Sequence, residues 1–345
     1  MNKNIPLRVG IVGAGANTKL RHIHGLKAIK GVEIVSVCNR SLESGERVAK
    51  EFGISEVYKN WRELVADKDI DAVVIGTWPY MHCPITVAAL EAGKHVMCEA
   101  RMAGTAKEAH RMLDAAKSRP HLVAQVVPSP FTLRVDTTVK RLLAEGFIGK
   151  VLVVEVRVGG AFLDDDAPLH WRQNVDYSGV NIMSLGIWYE AIMRWVGEAT
   201  RVTAMGQTFV KMRKDADGTL KAVRIPEHVD VIAEMACGAQ LHIQISAVTG
   251  LAGEPEAFVF GTDGTLRFAA NKLYGAKRGD KDLKEIKIPT KEEGCWRVEQ
   301  EFIDAIRGKG SLRLTTFEDG VKYMEFTETV SQSIAEGKAV SMPPR

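Results

Sequence analysis

The 345-residue sequence predicts two domains: an α/β domain over residues 1–126 built on a parallel, doubly wound sheet, then an α+β domain over residues 127–345 with a largely antiparallel, open sheet. Three observations carry this expectation. The chain is too long for one typical domain of roughly 100 to 200 residues. Its first third alternates short β-branched runs with helix-compatible stretches, and parallel neighbouring strands require such crossovers. From Val151 onward, strand-like runs punctuated by glycines take over.

Leu7–Val12 is an apolar β-branched run followed at once by Gly13-Ala14-Gly15-Ala16-Asn17-Thr18 and a stretch with Leu20, Ile23 and Leu26 at helical spacing. Strand, glycine turn and helix in this order form a Rossmann-type dinucleotide fingerprint. Gly13 permits the tight turn and Gly15 the close approach of a pyrophosphate, while Ala16 and Asn17 open a helix whose N-terminus favours anions. Thr18 stands where the usual third glycine falls. Val32–Val37 reads as a second buried strand ending at Cys38-Asn39-Arg40-Ser41, where an acid that reads the ribose is expected. Asn39 is neutral there, and Arg40 with Ser41 suits a 2′-phosphate, which favours NADP over NAD.

The alternation continues with a helix over Leu42–Phe52, an edge at Val57-Tyr58, a helix over Trp61–Ala66 and a strand over Ala72–Gly76. The turn Thr77-Trp78-Pro79-Tyr80-Met81-His82 leads to a helix over Pro84–Ala92, a strand over His95–Cys98, a helix over Ala106–Lys117 and a strand over Leu122–Val127. Ligands of such sheets bind beyond the carboxyl ends of the strands. The segments after the glycine turn, Val37, Gly76 and Cys98 therefore face one crevice. In the second domain, Val151–Val158, Val231–Ala236, Leu241–Ala247, Phe258–Gly261 and Thr265–Ala269 read as strands, and Ile182–Trp195, Glu299–Ile306 and 316–336 as helices. Helices should cover one sheet face, leaving the other to pair with a second subunit.

Composition narrows the class. A formal charge of +3 without a dense Lys/Arg block argues against nucleic acid and against an anionic membrane as partners. No apolar run approaches the roughly 18 residues of a membrane span, and the N-terminal residues lack a signal-like apolar core. Cys38, Cys83, Cys98, Cys237 and Cys295 are scattered without CxxC spacing, as expected of reduced thiols in the cytoplasm. The run Asp164-Asp165-Asp166 lacks accompanying His or Cys ligands and reads as a solvated loop, so no metal is expected.

Taken along its whole length, the chain resembles the glucose-fructose oxidoreductase / inositol dehydrogenase / MocA (Gfo/Idh/MocA) family of nicotinamide-dependent sugar oxidoreductases. Thr77-Trp78-Pro79-Tyr80-Met81-His82 is similar to that family's T-P-N-x-x-H turn, and Leu90-Glu91-Ala92-Gly93-Lys94-His95-Val96 to its L-E-A-G-K-H-V segment. Trp171-Arg172 followed by Ser178-Gly179 resembles its W-R and G-G-G pattern. The resemblance implies substrate held between the domains, homodimers or homotetramers formed through the C-terminal sheet, and contacts to the dinucleotide from Thr77, Trp78, His82 and Glu99. The catalytic positions depart from the pattern. The family's E-K-P is Glu99-Ala100-Arg101 here, and its D-x-x-x-H falls on Ser184-Leu185-Gly186-Ile187-Trp188, so lysine, aspartate and histidine are all replaced.

Hydride transfer from an alcohol carbon needs a base for the hydroxyl proton. Four residues are candidates for relocated chemistry. Arg101 offers a permanent positive charge for a carbonyl or an anionic substrate group. His170 is an imidazole beside the polar run, and Tyr189 and Glu190 follow the vacated histidine position on a helix. Trp171, Arg172, Asn181 and Trp188, with Arg101, are candidate contacts to a carbohydrate-like substrate. Three readings result: an NAD(P)-dependent oxidoreductase of a sugar, polyol or glycoside hydroxyl or the matching ketone with a non-standard acid/base set; a redox-neutral enzyme that eliminates a leaving group after transient sugar oxidation; and a catalytically silent dinucleotide- or sugar-binding protein.

Overall fold

A computed structural model describes residues 6–344. Two compact units emerge: residues up to Pro128 with Arg297–Val321, and Ser129–Trp296 with the residues from Lys322 on.

In chain order, the first unit contains β1 (Leu7–Val12), α1 (Ile23–Lys27), β2 (Val32–Cys38), α2 (Leu42–Phe52), β3 (Glu56–Val57), α3 (Trp61–Ala66), β4 (Ala72–Ile75), α4 (His82–Glu91), β5 (His95–Cys98), α5 (Ala106–Lys117) and β6 (Ala124–Val126). The six strands are all parallel, in the order β3-β2-β1-β4-β5-β6. The order reverses between β1 and β4, which opens the crevice where such folds bind ligands. Every residue of β4 is buried, as a central strand covered on both faces requires. The helices carry their own start signals: Ser41 Oγ accepts the Ser44 N–H at 3.3 Å, and Thr105 Oγ1 accepts the Glu108 N–H at 3.2 Å.

The second unit contributes α6 (Asp136–Ala144), β7 (Val151–Val158), α7 (Val175–Ser178), α8 (Leu185–Val196), β8 (Ala199–Gln207), β9 (Met212–Lys214), β10 (Leu220–Ala222), β11 (His228–Met235), β12 (Gln240–Ser246), β13 (Glu256–Gly261), β14 (Gly264–Ala269), β15 (Lys272–Lys277) and β16 (Lys284–Ile286). After α9 (Val298–Ile306) come α10 (Phe317–Glu336) and β17 (Val340–Ser341). Nine strands form one sheet, β16-β15-β14-β13-β7-β12-β11-β8-β17, antiparallel throughout except for the β7–β12 pair. Val154, Val156, Val229, Val231, Leu241, Ile243 and Val259 fill its inner face. Register puts Glu155, Phe258, His242, Ile232 and Thr203 in one row on the other face, and Ile232 and Met205 there are exposed.

Two expectations change. The helix after the glycine turn begins as a π-helical turn over Thr18–His22, and Leu20 is 72% exposed while Ile23 and Leu26 are buried; the wider turn rotates Leu20 off the core stripe. Residues 297–321, expected in the second domain, belong to the first unit. There the chain runs along β6, where Gln125 Nε2 donates to Leu314 O at 3.1 Å and the Val126 N–H to Thr315 O at 3.2 Å.

Candidate functional site

In the first unit, the ends of β1, β2 and β4 enclose a cavity of about 330 Å³ walled by Gly13, Gly15, Asn39, Arg40, Thr77 and Trp78 among others. Gly13 has φ +87°, and a Cβ there would lie 2.6 Å from the Thr77 nitrogen, so only glycine makes this turn. Gly15, Ala16 and Asn17 are exposed, as residues facing a pyrophosphate must be. Thr18 replaces the third glycine by turning its hydroxyl back to Gly13 O at 3.3 Å. The room it needs comes from Gly76, where a Cβ would sit 2.0 Å from Thr18 Oγ1.

At the end of β2, Asn39 Oδ1 accepts the Ala14 N–H at 2.7 Å, and its Nδ2 donates to Ser44 Oγ at 3.0 Å. Its carboxamide is thereby committed to bracing the glycine turn. Asn39, expected as a cofactor contact, both lines the cavity and braces the glycine turn. Arg40 is exposed, lies 5.5 Å from the Trp78 ring centroid, and has no ion-pair partner among the described residues. Ser41 caps the following helix by accepting from the Ser44 N–H. Thr77 Oγ1, buried on the cavity wall, has no protein partner, which fits a ligand that supplies one.

His82 is fully buried with Nε2 2.9 Å from Thr77 O and Nδ1 2.9 Å from Arg101 O. Burial pushes its pKa down. Neutral, the ring has one N–H and donates to one of these two carbonyls; buried beneath the Thr77 turn and not part of the cavity wall, it packs under the site and does not face a cofactor, which corrects its expected role. Arg101 is itself buried, and the Ala100–Arg101 peptide is cis.

Glu99 ends β5. Its Oε1 accepts from Asn17 Nδ2 and lies 2.8 Å from His22 Nε2. The other ring nitrogen of His22 is 2.5 Å from Glu299 Oε1. Burial pulls the His22 pKa down, but Glu299 and Glu99 more than offset this and hold it at about 9. For Glu99, burial raises and His22 lowers, with a net position below the usual carboxylate range. Sequence reading missed His22 and Glu299, which are separated by most of the chain.

In the second unit, the polar run folds as a helical turn over Trp171–Gln173 capped by His170. His170 is exposed, and its Nδ1 accepts the Arg172 N–H at 3.2 Å. Partial burial and the Arg172 charge lower its pKa. A neutral imidazole that accepts at Nδ1 carries its proton on Nε2, so His170 presents a donor. In that form it polarises an oxygen; acting as a base requires the opposite tautomer and loss of the cap. The Arg172 guanidinium stacks 4.3 Å over the Trp171 ring. The turn is anchored by Glu227, which accepts from Gln173 Nε2 at 3.1 Å and from Arg213 Nη2 at 2.9 Å in a buried ion pair. Burial pushes the Glu227 carboxyl up, but the Val210 N–H, Arg213 and the Phe209 N–H hold it low. Nothing in the local sequence marked Glu227 or Arg213.

The remaining candidates are structural. Tyr189 is fully buried, stacked on Phe326 at 3.6 Å between centroids, and its hydroxyl accepts the Ala199 N–H at 2.8 Å. Glu190 is buried against Arg194 at 2.8 Å and accepts the Ser129 N–H at 2.5 Å. Arg194 also meets Asp136 at 3.0 Å, so this carboxylate belongs to a buried ion network and is not poised as a base. Trp188 is stacked on Phe131 at 4.8 Å in the core, and Asn181 is buried with Nδ2 donating to Ser178 O at 2.7 Å. Tyr189, Glu190, Trp188 and Asn181 are thus corrected from site residues to residues of the second unit's interior: α8 turns the first three inward, and Asn181 is folded back onto the end of α7. Asp164, Asp165 and Asp166 are exposed, and no group of three metal-ligating side chains occurs among the described residues. Nor is any described helix long and apolar enough to cross a membrane.

A doubly wound sheet with a glycine turn, an unmet hydroxyl and a basic residue on the ribose side defines a dinucleotide-binding enzyme scaffold. Two family models match the chain in tandem: the oxidoreductase family with NAD-binding Rossmann fold over residues 7–126, and the Gfo/Idh/MocA C-terminal domain over residues 137–267. The chain belongs to the Gfo/Idh/MocA oxidoreductase family. It is 26% identical to levoglucosan dehydrogenase of Pseudarthrobacter phenanthrenivorans across 97% of this chain and 94% of that protein. It is 28% identical to 1,5-anhydro-D-fructose reductase of Ensifer adhaerens, covering 97% and 98% respectively. Levoglucosan dehydrogenase in complex with NADH and L-sorbose shares the fold, with a TM-score of 0.84 at 23% identity over 98% of this chain and 99% of that one.

Proposed function

We propose that this protein is an NAD(P)-dependent oxidoreductase of a sugar, polyol or glycoside hydroxyl, or of the matching ketone, with a non-standard acid/base set. The observation that carries this reading is the His170-Trp171-Arg172 turn, with His170 and Arg172 exposed and Trp171 half-buried, held from beneath by the buried Glu227–Arg213 pair. An aromatic face and two polar groups on a rigid base suit a carbohydrate. Its relatives named for levoglucosan and 1,5-anhydro-D-fructose support the same class.

The nicotinamide cofactor, when bound, accepts or returns a hydride. The glycine turn and Thr77 would hold it, Glu99 would accept from a ribose hydroxyl, and Arg40 with Ser41 would favour the 2′-phosphate of NADP. In ketone reduction His170 would polarise the substrate oxygen by donating from Nε2, with solvent at the exposed turn supplying the proton, and in hydroxyl oxidation the proton would return to solvent by the same route, while Arg172 and Trp171 orient the ring. Arg101 is retained as a candidate source of positive charge. The reading extends to a homodimer or homotetramer joined through the outer face of the nine-stranded sheet, and to the cytoplasm, in keeping with five free cysteines of which Cys237 and Cys295 are exposed.

The test is turnover. The purified protein is given NAD or NADP, oxidised or reduced, with a panel of sugars, polyols and glycosides or their ketones, and the reduced-nicotinamide absorbance is followed. A change with at least one sugar-type substrate is expected; saturable nucleotide binding with no redox change across the panel would sink the proposal.

A further inference from the structure

His22 lies on the helical turn behind the glycine loop, with its ring completely buried between two carboxylates. Nε2 is 2.8 Å from Glu99 Oε1 and Nδ1 is 2.5 Å from Glu299 Oε1. A neutral imidazole has one N–H and satisfies one such acceptor; only the imidazolium satisfies both. Buried carboxylates demand a partner of this kind. The arrangement also depends on Gly25: a Cβ there would fall 2.8 Å from Glu299 Cγ and Cδ, so glycine on the helix beyond His22 is what admits the second carboxylate. Glu299 comes from the first turn of α9 and does not line the cavity. Glu99 stands at the end of β5, on the opposite side of the switch point from Arg40, and is held by Asn17 of the glycine loop as well.

We propose that His22 is a positioning residue for the dinucleotide: clamped between Glu99 and Glu299, it fixes the Glu99 carboxylate as an acceptor for a hydroxyl of the nicotinamide-side ribose. This rests on the reading of Glu99 as a cofactor contact. Glu99 and Glu299 are carboxylates that face His22, and His82, at the start of α4, acts electrostatically on Glu99. Loss of the His22 proton leaves one N–H for two carboxylates, so that Glu99 is held less firmly toward the ribose, by Asn17 and the Ala100 N–H without a constant His22 donor.

The experiment is a fluorescence titration of the full chain with NADH and NADPH from neutral pH upward, for the wild type, His22→Gln and Glu299→Gln. Wild-type affinity is expected to be flat near neutrality and to weaken as pH passes about 9. His22→Gln is expected to bind roughly tenfold more weakly at neutral pH, the scale of one charge-assisted contact, and to lose the alkaline limb. Glu299→Gln, which removes one of the two carboxylates holding the His22 proton, is expected to move the limb downward by about one pH unit. A wild-type profile without a limb, or a limb unchanged in both variants, overturns the proposal. If His22→Gln does not fold, a carbon-13 histidine titration of the wild type decides: a buried imidazole titrating near its ordinary value overturns the proposal, and one titrating near 9 supports it. Absence of any binding by the wild type defeats the cofactor reading as well, whereas binding with a flat profile defeats only the role of His22.

Discussion

At the scale of single residues, the glycine loop shows how a departure from a motif is accommodated. Thr18 occupies the third glycine's place because Gly76, on the neighbouring strand end, leaves space for its hydroxyl. Gly76→Ala should therefore abolish nucleotide binding and cost about 1–3 kcal/mol of stability by overpacking, read from nucleotide titration and urea unfolding. The corrected candidates make opposite predictions. Tyr189→Phe removes the acceptor of the Ala199 N–H and should cost about 1–3 kcal/mol while turnover of the folded fraction stays near wild type. Glu190→Gln breaks a buried ion network and should cost about 3–5 kcal/mol, again without loss of chemistry in the fraction that folds. A large fall in kcat with unchanged stability in either variant would contradict this assignment. His170→Ala should lower kcat about a hundredfold, and His170→Gln, which keeps a neutral donor, should recover much of it. Arg40→Ala should weaken NADPH roughly tenfold or more and leave NADH within about twofold, measured as a ratio of dissociation constants.

At the scale of elements, what was legible followed from burial. Central strands such as β1 and β4 are continuous apolar runs, and helices such as α2, α3 and α5 carry polar caps, so their spans were readable to within a residue or two. The strands β8, β9, β10, β15 and β16 and the helix α6 were not identified. Residues such as Lys272, Lys277, Lys284 and Lys214 give these strands no apolar alternation, and they exist because a neighbour offers its backbone. α6 begins Asp136-Thr137-Thr138-Val139, poor helix formers that Arg194 and Trp195 of α8 hold through Asp136. Candidate residues that share one loop, as at 13–18, 39–41 and 170–172, could be picked out together from the sequence. Partners from distant segments were hidden, as with His22 and Glu299 on either side of the expected Glu99, or Arg213 and Glu227 beneath Gln173. α1, β5 and α9 meet at His22, and this has a consequence for stability. Its folded pKa is raised, so its contribution is complete below the unfolded value near about 6.5 and is lost as pH rises to about 9. Urea midpoints of the wild type should fall across that interval relative to those of His22→Gln; parallel curves would show that the cluster is not a charged clamp.

At the scale of the whole molecule, a dinucleotide unit and a sheet unit divide the work. The outer sheet face carries Ile232, Met205 and the stacked Phe258–Phe260 pair beside Glu155, Asp230 and His242. Apolar groups set in a charged surround suit an interface between copies of the chain. Light scattering should give a dimer or tetramer, and Ile232→Glu should reduce it to a smaller species with the far-ultraviolet spectrum intact; a monomeric wild type would remove that proposal. Net hydride transfer between nicotinamide and a sugar-type carbon is tested by a balance of products. Wild-type protein, excess nucleotide and a turned-over sugar are quenched at intervals, and nicotinamide redox state and sugar product are both quantified. The account predicts one nicotinamide changed for each sugar oxidised or reduced. Sugar converted over many turnovers with the nucleotide returned unchanged would contradict it and make the cofactor a transient oxidant in redox-neutral elimination.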